Sequence, residues 1–360
     1  MSTGVFQQVT VQGADNTLII EVTEVEQHPG RLDFGLSWIS DRGLTGTLGY
    51  GQFNLIPNTF TAAQFDISRD AKSYDLSAFR PDTFGKDWDF GIQIMGERTA
   101  FEDLDFSVRS LRVETSLSWT PEGPIESEVA AGYRNHRMFD VNALSSGLLF
   151  GEANSDAGHV SAPYLRLGAS YRTAEAEETG TVVNLQQVLW NLGTDQRISE
   201  TRVGMAARVN IGKQNAILLG VNGGRVQGLS GSNPTALDRF FLGGDSFRGF
   251  APRGLGPAEG SSRVGANRYL VASVELQREL GNFLDRDFQG GVFFQAGSAW
   301  GLDDTLGGRI DDSRILRTSV GLTVSFNISE TPVSLYLAAP LKYEETDKRQ
   351  IIGLNINTTF

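Results

Sequence analysis

Apolar residues recur at every second position along this chain, and that period of two most constrains what it can fold into. In RLDFGLSWIS (31–40), Leu32, Phe34, Leu36 and Trp38 alternate with Arg31, Asp33, Gly35 and Ser37. In TRVGMAARVNI (201–211), Val203, Met205, Ala207, Val209 and Ile211 alternate with Arg202, Gly204, Ala206, Arg208 and Asn210. RTSVGLTVSFN (317–327), LRVETSLSW (111–119) and VSLYLAAPL (333–341) repeat the pattern. Successive side chains of a strand point to opposite faces, so each segment reads as a strand with one apolar and one polar face. The polar face holds glycine, serine, arginine and glutamate, strand after strand. A soluble sandwich turns such faces to water and buries the apolar ones between two sheets. A transmembrane barrel turns its apolar faces to lipid and lines a lumen with the polar ones. Periodicity alone does not separate these folds, but length helps. Sandwich strands average roughly 5–6 residues and tilted membrane strands need ~9–11, whereas several segments here run for nine to twelve.

Sixteen such segments start near residues 30, 43, 58, 72, 86, 105, 125, 160, 180, 198, 214, 267, 288, 313, 331 and 348. An even number is expected of an outer-membrane barrel. Tight connections include 40–43, 120–124, 211–215 and 327–331; long ones include 138–159, 228–266 and 301–312. Short turns on one side and long loops on the other fit the same fold. Helical periodicity is not convincing anywhere, and no apolar run reaches the ~18 residues of a membrane helix. The expected fold is all-β: a 16-stranded antiparallel transmembrane barrel over 28–360 with a long loop inserted into its lumen. In the closing IIGLNINTTF, Ile352, Leu354, Ile356, Thr358 and Phe360 share one face, and Gly353, Asn355, Asn357 and Thr359 the other. This last strand must pair with the first, near 31–40, because an open edge in lipid leaves backbone groups unsatisfied. Residues 1–27 read as two short strands around a GADN turn, too small to fold alone, like the tail of a further domain. MSTGVFQQVTVQG has neither a basic n-region nor an apolar h-region, so it does not read as a signal peptide.

A net charge of -12 argues against a nucleic-acid partner. With no cysteine, disulfide frameworks and cysteine-ligated zinc are excluded. His28, His136 and His159 have no partner at metal-binding spacing, and DDTLGGRIDDS lacks the DxDxDG order of a calcium loop. No metal site, cofactor or catalytic group is therefore expected. The five tryptophans lie near strand ends, where they either form interfacial belts or pack.

The remaining feature is FFLGGDSFRGFAPRGLGP (240–257), rich in both glycine and phenylalanine around Arg248. Gly243, Gly244, Phe247, Arg248, Gly249 and Phe250 resemble the signature loop of the bacterial surface antigen barrel superfamily, which joins BamA/TamA-type outer-membrane assembly factors with two-partner secretion transporters. That family carries Val-Arg-Gly-Phe/Tyr between its eleventh and twelfth strands; here the tetrapeptide is Phe247-Arg248-Gly249-Phe250, between the eleventh and twelfth segments. VASVELQREL (271–280) resembles the family's twelfth strand and GVFFQAGSAW (291–300) its thirteenth, while residues 1–27 resemble the end of a last POTRA domain. The resemblance is strong over 238–360 and weaker over 30–237. It implies that the loop enters the lumen and that Arg248 meets acidic groups of the wall. Parity turns Glu275 and Gln295 inward. Gln295 stands where the family has an aspartate, so Glu275 is expected to be the main partner. The resemblance further implies an integral bacterial outer-membrane protein that folds unfolded β-barrel or autotransporter clients into the bilayer. The seam between strands 31–40 and 348–360 would open laterally, with Gly353 weakening the last strand and Phe360 part of an assembly signal. Periplasmic accessory proteins would bind through POTRA domains. Polypeptide secretion through the lumen is the alternative.

Overall fold

The structure, a computed structural model, describes residues 6–14, 17–24, 30–39, 43–100, 105–142, 144–173, 179–283, 286–328 and 331–359. Phe360 lies outside them, as do the side chains of the N-terminal hairpin and of residues 355–359. Phe6–Ala14 and Thr17–Glu24 form an antiparallel hairpin. Sixteen strands among the described residues then close into one barrel. They are β1 (Arg31–Ile39), β2 (Gly43–Ile56), β3 (Thr59–Ser68), β4 (Ala71–Arg80), β5 (Trp88–Thr99), β6 (Ser107–Trp119), β7 (Ile125–Phe139) and β8 (His159–Arg172). The second half comprises β9 (Gly180–Trp190), β10 (Ile198–Ile211), β11 (Asn215–Gly228), β12 (Arg268–Phe283), β13 (Arg286–Trp300), β14 (Arg317–Ile328), β15 (Thr331–Lys342) and β16 (Ile352–Thr359). Each pairs antiparallel with its neighbour, and β16 closes on β1 from Asn355↔Ile39 to Thr359↔Gly35.

Alternation decides which way each side chain faces. Leu32, Phe34 and Leu36 of β1, and Leu276, Val292, Leu322 and Leu337 of β12 to β15, are exposed on the outer wall. Glu275, Phe293, Gln295, Arg317 and Ser319 of the same four-strand region are buried within. Apolar residues outside and charged residues inside is the reverse of a soluble protein, and it fits a wall solvated by lipid.

Three local expectations need correction. The connections do not sort strictly by length, since the two-residue link 69–70 joins the rim that carries the long loops, as does 40–43, while 81–87 lies on the opposite rim. The last strand starts at Ile352, not near 348, because Arg349–Gln350 pairs instead with Gly249–Phe250 of the long loop. A short helix, α1 (Gly147–Ala153), occurs within 140–158, with Ser146 Oγ accepting from the Leu149 N–H at its start. Seven residues are too few to show a period, and Leu148 and Leu149 are buried by loop packing, not by an amphipathic stripe. Of the two roles open to the tryptophans, Trp190 takes packing, buried against Tyr164 in the lumen, whereas Trp88 and Trp119 face each other, exposed, at a strand end.

Substitutions should separate the two faces. Leu322→Arg, midway along β14 on the outer wall, is expected to cost about 2–4 kcal/mol. Ser77→Arg, on the lumen side of β4, is expected to cost under about 1 kcal/mol. Denaturant unfolding in lipid vesicles measures both.

Candidate functional site: the lumen loop and the barrel seam

The inner wall is prepared to receive a loop. Aromatic rings lie across glycines directly opposite them on the next strand: Tyr164 over Gly132, Tyr269 over Gly224, Phe293 over Gly321 and Tyr336 over Gly353. In each pair a Cβ on the glycine would overlap the ring. Glycine leaves the sheet face flat, and a ring from the neighbouring strand covers it. Gly353 is therefore not a gap in β16 but the seat of the Tyr336 ring.

The loop 229–267 folds inward between β11 and β12. Phe247 and Phe250 are fully buried and meet edge to face at 5.0 Å. With Leu242, Leu255 and Ala266 they pack on Val271 of β12 and Ala299 of β13. Gly243 and Gly249 adopt φ +130 and +98, where other residues are strained. A Cβ on Gly243 would overlap the Ala251 carbonyl, and one on Gly249 would come within 3.1 Å of the Ser319 Cβ. Gly244, at φ +59, belongs to the single 3-10 turn between them. The glycines thus permit the bends, and the phenylalanines fill the space.

These bends deliver Arg248 to the wall. Its Nη1 donates to Glu275 Oε2 at 2.8 Å, and its guanidinium lies over the Phe293 ring, 3.6 Å from the centroid. Glu275 Oε1 accepts from Thr323 Oγ1 at 2.8 Å and from Gln277 Nε2 at 3.1 Å, so both carboxylate oxygens are engaged. Gln295 Oε1 accepts the backbone N–H of Arg248 at 2.9 Å, with Nε further off at 3.5 Å. An amide oxygen serves that backbone donor as a carboxylate oxygen would, so glutamine suffices there. The charge is matched by Glu275, as ion pairing in a confined polar interior requires.

The seam is short. Among the described residues β16 makes five register pairs with β1 and five with β15. The remaining strand pairs of the barrel make from eight, as in β3–β4, to fifteen, in β12–β13. Leu354 is partly buried, and the Ile356 side chain and Phe360 lie outside the described residues.

Residues 57–360 match the Omp85 superfamily domain. The chain belongs to the Omp85 superfamily. Over 172 residues it is 27% identical to the outer membrane protein assembly factor BamA of Neorickettsia risticii (strain Illinois), a stretch covering 47% of this chain and 23% of that relative. BamA from Haemophilus ducreyi lacking POTRA domains 1–3 superposes with a TM-score of 0.87 at 18% identity, covering 99% of this chain and 76% of the other. CdiB from Escherichia coli gives a TM-score of 0.64 at 10% identity, covering 98% and 67%, and CdiB from Acinetobacter baumannii gives 0.59 at 14%, covering 99% and 66%. At these identities the likeness is one of fold. The Omp85 barrel is an integral outer-membrane protein whose outer wall meets lipid.

Sequence reasoning located only one of the loop's attachments. A second has the opposite polarity: wall residue Arg134 donates to Asp238 of the loop at 2.9 Å, both buried, and to Asn191 Oδ1 at 2.9 Å. Its guanidinium also lies 4.3 Å over the Trp190 ring. A third joins Arg239 of the loop to Glu152 of α1. Inward parity in β7 marks Arg134, but no local signal names its loop partner, 104 residues away. Glu259, near the loop's outer end, accepts from Ser146 Oγ at 2.7 Å and the Leu148 N–H at 3.1 Å. Burial pushes its carboxyl up, but the Leu148 N–H, the Ser146 hydroxyl and the Arg309 guanidinium outweigh this and hold it below the ordinary carboxylate range.

Two predictions follow from these attachments. Glu275→Ala strands a largely buried guanidinium and should loosen the loop by about 3–5 kcal/mol, against about 1–3 kcal/mol for Gln295→Ala; amide exchange across 243–254 reads the difference. Glu259 has a depressed folded value, so its contribution is present above the unfolded value of about 4.3 and fades as pH falls through the folded one. Protection of α1 should drop on acidification in that window, and Glu259→Gln should remove the step.

Proposed function

We propose that this protein folds β-barrel or autotransporter clients into the outer membrane through the seam between β1 and β16. The observation that carries the reading is the weakness of that seam in a barrel of the Omp85 superfamily. Among the described residues, five register pairs, flanked by five more on the β15 side, hold the strand that closes the sheet. A strand so held can part from its neighbour at lower cost than any pair on the opposite wall. Its exposed edge then offers unpaired N–H and C=O groups to an incoming strand, which adds by β-augmentation. Leu32, Phe34 and Leu36 keep the β1 side of that edge in contact with lipid, where the client must end. No bond is made or broken in this process, and no cofactor takes part. The naming of the Neorickettsia relative as an assembly factor supports the reading.

The N-terminal hairpin, in the same reading, is the end of a periplasmic POTRA domain through which accessory proteins engage. Secretion of a polypeptide through the lumen, the alternative, would require loop 229–267 to leave the barrel. The Arg248–Glu275 and Arg134–Asp238 pairs hold the loop from two sides and weigh against it.

The absence of native cysteine gives a clean test. A disulfide between Ser37→Cys and Asn357→Cys, which are register partners, locks the seam. Client assembly into vesicles should cease on oxidation and return on reduction. Assembly by the oxidised barrel would refute the seam mechanism.

A further inference from the structure

The connection 343–351, which leads from β15 into β16, is stitched to the lumen loop and not only to its neighbours in the wall. Gly249 and Phe250 pair with Gln350 and Arg349. The Ala251 N–H donates to the Lys348 carbonyl at 2.8 Å, and the Lys348 N–H donates to the Gly254 carbonyl at 2.8 Å. Beneath this backbone ladder sits Asp347, whose side chain is 0% exposed. Arg317, the first residue of β14, grips it with Nε at 3.0 Å and Nη2 at 3.3 Å. Arg263 of the lumen loop approaches the same carboxylate at 3.8 Å, and also donates to the Gly256 carbonyl at 2.7 Å and to that of Thr346. Asp347 Oδ2 further accepts the Glu344 N–H at 2.8 Å, which closes the turn around it.

Two buried guanidiniums therefore converge on one buried carboxylate. One belongs to the fixed wall, the other to the loop, and the carboxylate belongs to the segment that enters the seam strand five residues later. We propose that Asp347 is the positioning residue that couples the seat of the lumen loop to the closure of the seam. With the carboxylate in place, the loop backbone holds 348–350, and β16 enters the wall in register with β1. Without it, the buried Arg263 and Arg317 guanidiniums face each other uncompensated, which favours withdrawal of the loop from 347–350. The entry of β16 then loses its inner support, and a strand held by five pairs on each side opens more often. The loop and the seam thus act as one two-state element, in which the ion cluster biases both parts. This inference rests on the seam reading above for its use, but the coupling itself is measurable without a client.

Amide exchange in the folded barrel is the test. Asp347→Asn should speed exchange in 31–39 and 352–359 about fivefold, as a larger open population requires, and leave β6 to β10 at the parent rate. Asp347→Glu, which restores the charge, should recover most of the protection. Lys348→Pro deletes the N–H donated to Gly254 and keeps the Asp347 carboxylate, though it also restricts the Asp347 backbone, and should act in the same direction even if Asp347→Asn does not fold. Unchanged seam exchange in the variants that fold, or equal acceleration across β6 to β10, would overturn the coupling. The disulfide-locked barrel answers the separate question: assembly through a locked seam ends the seam reading, whatever the exchange shows.

Discussion

Hydrocarbon offers no partner to a backbone N–H or C=O, and the rest of this structure depends on that constraint. A sheet that crosses the bilayer has to satisfy every such group within itself, so it has to close. Closure forces β16 onto β1, although β16 is only eight residues long and the strands across the barrel reach sixteen. The mismatch concentrates at one place. On the β15 side the ladder starts only at Leu337↔Ile352 because the residues before β16 are paired to the lumen loop, and on the β1 side it runs, among the described residues, only from Asn355↔Ile39 to Thr359↔Gly35.

Closure also creates an interior, and period-two alternation makes that interior polar. Once lipid takes the apolar face, arginines and glutamates have nowhere to point but inward, where each needs a partner. The lumen loop supplies these with matched polarity. It sends a cation, Arg248, to Glu275 on one wall and an anion, Asp238, to Arg134 on another. Wall rings cover both guanidiniums, Phe293 that of Arg248 and Trp190 that of Arg134, and the lower local dielectric makes the loss of one partner from either pair more costly. The glycine-rich sequence and the apolar residues of 240–257 are thus complementary parts of one device.

What the sequence discloses follows from the range of each interaction. Strand number and facing were legible because alternation is a local property repeated sixteen times. Glu275 and Gln295 were legible as inward residues for the same reason, and Arg248 through its motif. The Asp238, Glu152 and Asp347 contacts were not, because each joins segments far apart in the chain, and no local pattern carries their pairing. Residues 348–351 show the limit most directly. They contain no glycine, proline or other turn residue to separate them from the last strand, so they read as wall, yet two of them pair with the loop. Periodicity reports that a segment is extended; it does not report which neighbour takes its hydrogen bonds.

Gln295 shows how a departure from a family pattern is absorbed. A second carboxylate beside Arg248 would have to share the guanidinium with Glu275, whose two oxygens are already engaged by Arg248, Thr323 and Gln277. The closer of the two Gln295 contacts is with the Arg248 backbone N–H, a neutral donor that an amide oxygen serves with less desolvation than a carboxylate. The work is therefore divided: Glu275 compensates the charge of the loop, and Gln295 fixes the path of its backbone. Both tasks have to be met for Gly249 and Phe250 to arrive in register with Arg349 and Gln350. The seat of one arginine in the lumen in this way reaches the residues that lead into the closing strand.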